Sequence, residues 1–124
     1  MASEDYEYFE LDSKDGVALI RVLAREMRHP QSAQQFGSEV RAALQSLGLK
    51  NAVIDLKNVE YVGSTAFATL LTLGKAIAAQ GGALKICDLH PDVQVGANIL
   101  GLGKAVEIFD SRHDALKSFS PHAT

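Results

Sequence analysis

The chain has 124 residues, 47% of them hydrophobic and 22% charged, with a formal net charge of −3. That balance fits one globular core and excludes a disordered chain, and the acidic total leaves no basic footprint for nucleic acid. A single cysteine, Cys87, excludes an internal disulfide framework and points to a reducing compartment.

The first ten residues, MASEDYEYFE, are acidic and lack the basic start and apolar run of a signal peptide. No apolar run reaches the roughly 18 residues a spanning helix needs, so a cytoplasmic protein without membrane insertion is expected. Residues 6–11 alternate and carry aromatics, which predicts a half-buried strand. Asp15-Gly16 marks a turn, and Val17 to Val22 form a second strand, so the pair reads as an antiparallel hairpin. The next stretch, AREMRHPQ, reads as a polar loop. Its Arg25, Arg28 and His29, with Arg21 before them, form a basic cluster, read as solvated charge or as a contact for an acidic partner.

Ser32 with Gln35 makes a capping-box pair that opens a helix. Phe36, Val40, Leu44 and Leu47 give it one apolar stripe, and Gly48 supplies the left-handed stop. Residues 51–56, NAVIDL, read as a central strand buried on both faces. The turn at Gly63-Ser64-Thr65 opens a second helix, with Phe67, Leu70, Leu71, Gly74 and Ile77 on one face and Gly81-Gly82 ending it. Residues 83–87 form the next strand, and Pro91 begins a helix to about Leu100, with Gly96 against it. Residues 105–109 are a last strand, and Ser111 with Asp114 caps a short final helix. Residues 118–124 read as a loose tail. The order is ββαβαβαβα. It predicts an α/β fold, one domain over 1–124 with its core at about 6–117. Its sheet has about four or five strands and is mixed, mainly parallel.

Ser64 and Thr65 are the residues with chemistry to explain. Each is a good N-cap, and capping is the simplest local reading of one of them. Two hydroxyls behind a glycine are more than one cap needs. They also lie at the carboxyl end of a presumed central strand, where open α/β sheets place functional groups. A phosphate there would meet the positive end of the helix dipole. The histidines, His29, His90, His113 and His122, show no metal-ligand spacing. Gly101-Leu102-Gly103-Lys104 precedes a strand rather than a helix, unlike a phosphate loop. No base is evident for either hydroxyl, so no catalytic, cofactor or metal residue is assigned and no enzyme is expected. Cys87 closes a strand and reads as a small buried hydrophobe.

The stretch from Val53 to Leu116 resembles the core of the STAS domain family, the anti-sigma-factor antagonists. Asp55-Leu56, Ser64-Thr65, Gly81-Gly82, Pro91, Gly101-Leu102 and Asp114-Ala115-Leu116 match that family's pattern in order. The resemblance implies a partner serine/threonine kinase of anti-sigma-factor type. That kinase would phosphorylate Thr65, with Ser64 the alternative, and so release the complex, and a phosphatase would restore it. It implies partner contact over Asp55, Gly63, Ser64, Thr65 and Ala66, with homo-oligomers also open. Two departures stand out. Gly63 replaces the usual acidic residue and Ala66 the usual glycine, and REMRHPQSA replaces the family's Gly-x-Leu-Asp-Ala loop. A STAS adaptor without a phosphoswitch is the alternative, as a subunit of a stressosome-like or lipid-transport ABC assembly. A flavodoxin-like nucleotide-binding module or small enzyme is the third class.

Overall fold

The structure, a computed structural model, describes residues 8–119. Tyr6 and Glu7 of the first expected strand, and residues 120–124 of the expected tail, lie outside them. Strand β1 (Phe9–Lys14) and β2 (Val17–Val22) form the expected hairpin. Its two-residue turn places Asp15 at φ 52° and Gly16 at φ 81°, the left-handed pair that matches the twist of a tight hairpin. Next come β3 (Glu26–Met27), α1 (Pro30–Leu47), β4 (Asn51–Asp55), β5 (Tyr61–Val62) and α2 (Ser64–Ala79). They are followed by β6 (Leu84–Cys87), α3 (Pro91–Ile99), a 3-10 turn at Leu102–Lys104, β7 (Glu107–Phe109) and α4 (Arg112–Lys117).

Five strands form the main sheet in the order β1-β2-β4-β6-β7. Only the β1–β2 pair is antiparallel; β2, β4, β6 and β7 run parallel. β4 lies at the centre and is buried from Ala52 to Asp55, as a strand covered on both faces must be. Ile20, Ile54 and Ile86 point into the larger core with Phe36, Phe67 and Leu70 of α1 and α2. Alternate residues Leu19, Val53 and Cys87 point the other way, against Ala115 of α4. The Phe9 and Phe36 rings meet edge to face, 5.6 Å between centroids.

Three expectations are corrected. The loop after β2 contains a strand: β3 pairs in parallel with β5, and Met27 is buried. Helix α1 begins at Pro30, so the Ser32–Gln35 pair lies inside it and caps nothing. Proline at the first helical position needs no amide hydrogen, and His29 serves as an N-cap without a side-chain bond. Leu47 is 42% exposed and leaves the stripe, because the helix stops one residue later at Gly48, φ 67°. By contrast Ser111 does cap α4, its Oγ accepting from the Asp114 amide at 3.1 Å. Ser118 and Phe119, assigned to the tail by sequence, both engage Lys85. Its Nζ lies 2.7 Å from Ser118 Oγ and 4.2 Å from the centroid of the Phe119 ring.

Candidate functional site

The carboxyl end of β4 leads through β5 into α2. The Gly63 amide donates to the Met27 carbonyl at 2.8 Å, which ties the start of α2 to the small β3–β5 sheet. The Phe67 amide donates to the Gly63 carbonyl at 3.0 Å, the first bond of the helix. Gly63 is therefore the N-cap, and Ser64 and Thr65 hold the first two helical positions. This overturns the capping explanation, since no side chain caps α2. No acidic residue lies in its first turn, so the positive end of the helix faces outward uncompensated.

The two hydroxyls open onto different surroundings. Ser64 is exposed and borders a hollow lined by Phe67, Leu71, Leu100 and Leu102. Thr65 is half-buried and lines the groove between α1 and α2. Beyond the hollow, α3 presents Val95 and Ile99, 57% and 77% exposed, one helical turn apart. The inner face of α3 packs through Val93, Ala97 and Gly96. A Cβ on Gly96 would stand 3.0 Å from the Phe67 ring, and this close fit is why a glycine sits inside that helix. On the other flank, Arg28 stacks over Tyr61 at 4.5 Å and bonds Glu26 at 3.0 Å. That hydrogen bond, and the arginine's charge, hold the Glu26 carboxyl below its usual range. Arg25 pairs with Glu60 at 3.0 Å.

Asp55 and Ala66, expected in the partner surface, are buried. Ala66 packs into the core from the first turn of α2. Asp55 is buried and faces α4, on the side of the sheet away from α2. Its Oδ2 accepts from Arg21 Nε and Nη2, both at 3.1 Å, and Arg112 lies at 3.8 Å. Its Oδ1 accepts from the Lys57 amide at 2.8 Å. Asp55 thus holds the end of β4 and the start of the following loop in place. Three members of the basic cluster, Arg21, Arg25 and Arg28, are consumed in ion pairs within the chain.

Asp55, Cys87 and Asp88 bring ligand atoms within 4.8 Å of one another, the one such grouping among the described residues. It does not suit a cation. The carboxylate of Asp55 is already taken by arginine, and burial pushes the Cys87 thiol well up, so the metal-binding thiolate is disfavoured. Cys87 is buried, as expected. Native protein should resist iodoacetamide and react promptly once unfolded in urea; fast alkylation of the native fold would contradict this packing. Because folding raises this pKa, stability is full below the unfolded thiol value of about 8.5 and declines as pH rises past it.

The STAS domain model matches residues 8–115. The chain belongs to the STAS domain family. It is 28% identical to the anti-sigma F factor antagonist of Paenibacillus polymyxa, over 86% of this chain and 90% of that one. The STAS fold also superposes on protein TM1081 of Thermotoga maritima, with TM-score 0.78 and 19% identity over 90% of this chain and 94% of that one. It matches the Bacillus protein SpoIIAA in two states. The unphosphorylated form gives TM-score 0.73 at 16% identity, over 90% and 95% of the two chains. The phosphorylated form gives 0.67 at 15%, over 90% and 99%. A second relative, a putative anti-sigma factor antagonist of Bordetella bronchiseptica, is 27% identical over 71% of this chain and 75% of that one. No helix among the described residues is long and apolar enough to cross a membrane.

Gly63 occupies the place of the family's acidic residue, and its backbone does not require glycine. Its φ of −75° and ψ of 165° suit any residue, and a Cβ would lie an ordinary 3.4 Å from the Met27 carbonyl oxygen. An aspartate would cap α2, offset its dipole and restrict the unfolded chain. Gly63→Asp should therefore stabilise the protein by about 1 kcal/mol. Thermal unfolding should move up by roughly 3–6 °C; a lower midpoint would show that the turn cannot hold a side chain.

Proposed function

We propose that this STAS protein is an anti-sigma-factor antagonist that binds a serine/threonine kinase of anti-sigma-factor type through the start of α2 and the outer face of α3. The kinase phosphorylates Thr65 and thereby releases it. The observation that carries the reading is the placement of the two hydroxyls in the first turn of α2, which no side chain caps, with Ser64 exposed at the edge of an apolar hollow and Thr65 half-buried next to it in the chain. Val95, Ile99 and Leu100 supply area to bury, and Ser64 supplies a hydroxyl at its border. In the transfer, Thr65 Oγ1 takes the terminal phosphoryl group of a nucleoside triphosphate held by the kinase. Its proton passes to a base of the kinase, and the diphosphate leaves. The existence of SpoIIAA in a phosphorylated form supports a modified state of this fold. A phosphatase would reverse the step.

Gly63 favours one second reading, an adaptor that keeps the binding surface without the switch, because the acidic residue beside the acceptor is missing. Affinity capture from the lysate of the source organism tests both readings. The expected partner is a kinase-type ATPase, and Ile99→Asp should weaken its binding at least tenfold, since a carboxylate would be desolvated against an apolar surface. Capture of a partner without kinase activity favours the adaptor. Unchanged affinity in Ile99→Asp removes α3 from the interface.

A further inference from the structure

The groove that Thr65 lines has a volume of about 400 Å³ and walls of mixed polar and apolar character. Thr69 and Thr72 continue the α2 wall at helical spacing, while Gln34 and Ser38 face them from α1. Arg41 is the one charged residue among those that line it. It is exposed, and among the described residues no carboxylate pairs with it. The nearby acid on α1, Glu39, does not line the groove and accepts from Gln35 at 3.0 Å. The two helices are held close at Gly37, where a Cβ would stand 2.9 Å from Thr69 Cγ2. The groove therefore offers hydroxyls, one amide and one guanidinium, and no acidic residue lines it.

We propose that this groove is an internal phosphate-holding site: once Thr65 is phosphorylated, Arg41 serves as the counter-ion of the phosphate and Gln34 and Ser38 donate hydrogen bonds to it. The modified state is then a stored form with its charge satisfied inside the chain. The same geometry selects the acceptor. A phosphate on Ser64 would project over the apolar hollow of Leu71 and Leu100, where no such donors line the wall. An arginine suits this task because its guanidinium fork matches phosphate oxygens and never loses its charge. The inference rests on the proposed phosphorylation, but its test needs no kinase.

Phosphothreonine is installed at position 65 of the full chain by genetic encoding or ligation, and its phosphorus resonance is titrated. The ordinary second pKa is about 6. It should lie lower in the wild-type background than in Arg41→Gln by roughly half a unit or more, with Arg41→Lys in between. The comparison cancels the helix dipole, which both proteins share. Arg41 is exposed, so its replacement should leave folding unchanged, which circular dichroism verifies. In 1 M salt the difference should shrink as the charges are screened. Equal titration in wild type and Arg41→Gln overturns the proposal. An equal dependence on Arg41 for phosphoserine at position 64 also overturns it. Failure to find any kinase partner would instead count against the proposed function and leave this titration standing.

Discussion

Phosphorylation of Thr65 is expected to weaken binding to the kinase partner roughly 100-fold while the fold survives. The phosphate brings about −1.5 to −2 charges at neutral pH. In the free protein that charge lies at the first turn of α2, where no acidic side chain opposes it and the helix dipole favours it by about 0.3–1 kcal/mol. In the complex it must shed water at an interface whose neighbouring surface is apolar. A charge covered at an interface loses its hydration, which the exposed Arg41 offsets only in part, and a net loss of about 3 kcal/mol corresponds to the stated factor. Thr65→Glu should reproduce this only in part, since one carboxylate carries less charge and a different shape. Calorimetry of the unmodified and phosphorylated forms against the kinase reads the affinity, with circular dichroism as control for the fold. Equal affinities would reject the electrostatic switch. A lost dichroism signal would show instead that the phosphate unfolds the start of α2.

Gly82→Ala should be the most damaging single-methyl change in the turn after α2. A Cβ at Gly82 would overlap the carbonyl oxygen of Lys50, a backbone atom that leads directly into central strand β4. The Ala52 and Ala83 backbones are bonded across the same place, and the Asn51 side chain accepts from the Ala83 amide at 3.0 Å. Relief therefore requires parting β4 from β6. A cost of about 3 kcal/mol is expected, at the upper end for overpacking, with the unfolding midpoint falling by roughly 10 °C. Gly81→Ala is the comparison. Its φ of 85° strains an alanine, but nothing lies within 4 Å of a Cβ there. It should cost only about 1–2 kcal/mol. Thermal denaturation of the pair checks the ranking. A milder effect at Gly82 than at Gly81 would mean that the strand ends yield more easily than their hydrogen bonds imply.

The elements with strong periodicity or sharp punctuation were legible in the sequence. Asp15-Gly16, Gly48, Pro91 and the Ser111–Asp114 cap each act through local backbone chemistry, and each is found where that chemistry predicts. What failed depended on tertiary partners. β3 and β5 have two residues each, too short for any period, and exist because Met27 and Val62 are buried side by side. Ser32 and Gln35 have the residue types of a capping box, yet Pro30 starts the helix earlier, because its fixed φ suits the first turn. At the site, the turn and its two hydroxyls were readable, but their divergence was not. That Ser64 meets an apolar hollow and Thr65 a groove carrying Gln34, Ser38 and Arg41 follows from how α1 and α3 flank α2. Asp55 looked like a surface residue of the motif. Its cross-strand neighbour Arg21 and the arrival of Arg112 from α4 turn it inward, and no local pattern announces either contact. Arg41 carried no motif at all; a helical wheel places it one and two turns from Ser38 and Gln34, which was the available hint.

The most direct test of the central claim, that the start of α2 is where the kinase partner binds and acts, is peptide mass spectrometry after incubation with the captured kinase and a nucleoside triphosphate. One phosphate per chain is predicted, on Thr65, and none on Thr65→Ala although that variant still binds. Phosphate on a residue outside the first turn of α2, or a stable complex in which no phosphate is ever transferred, would contradict it.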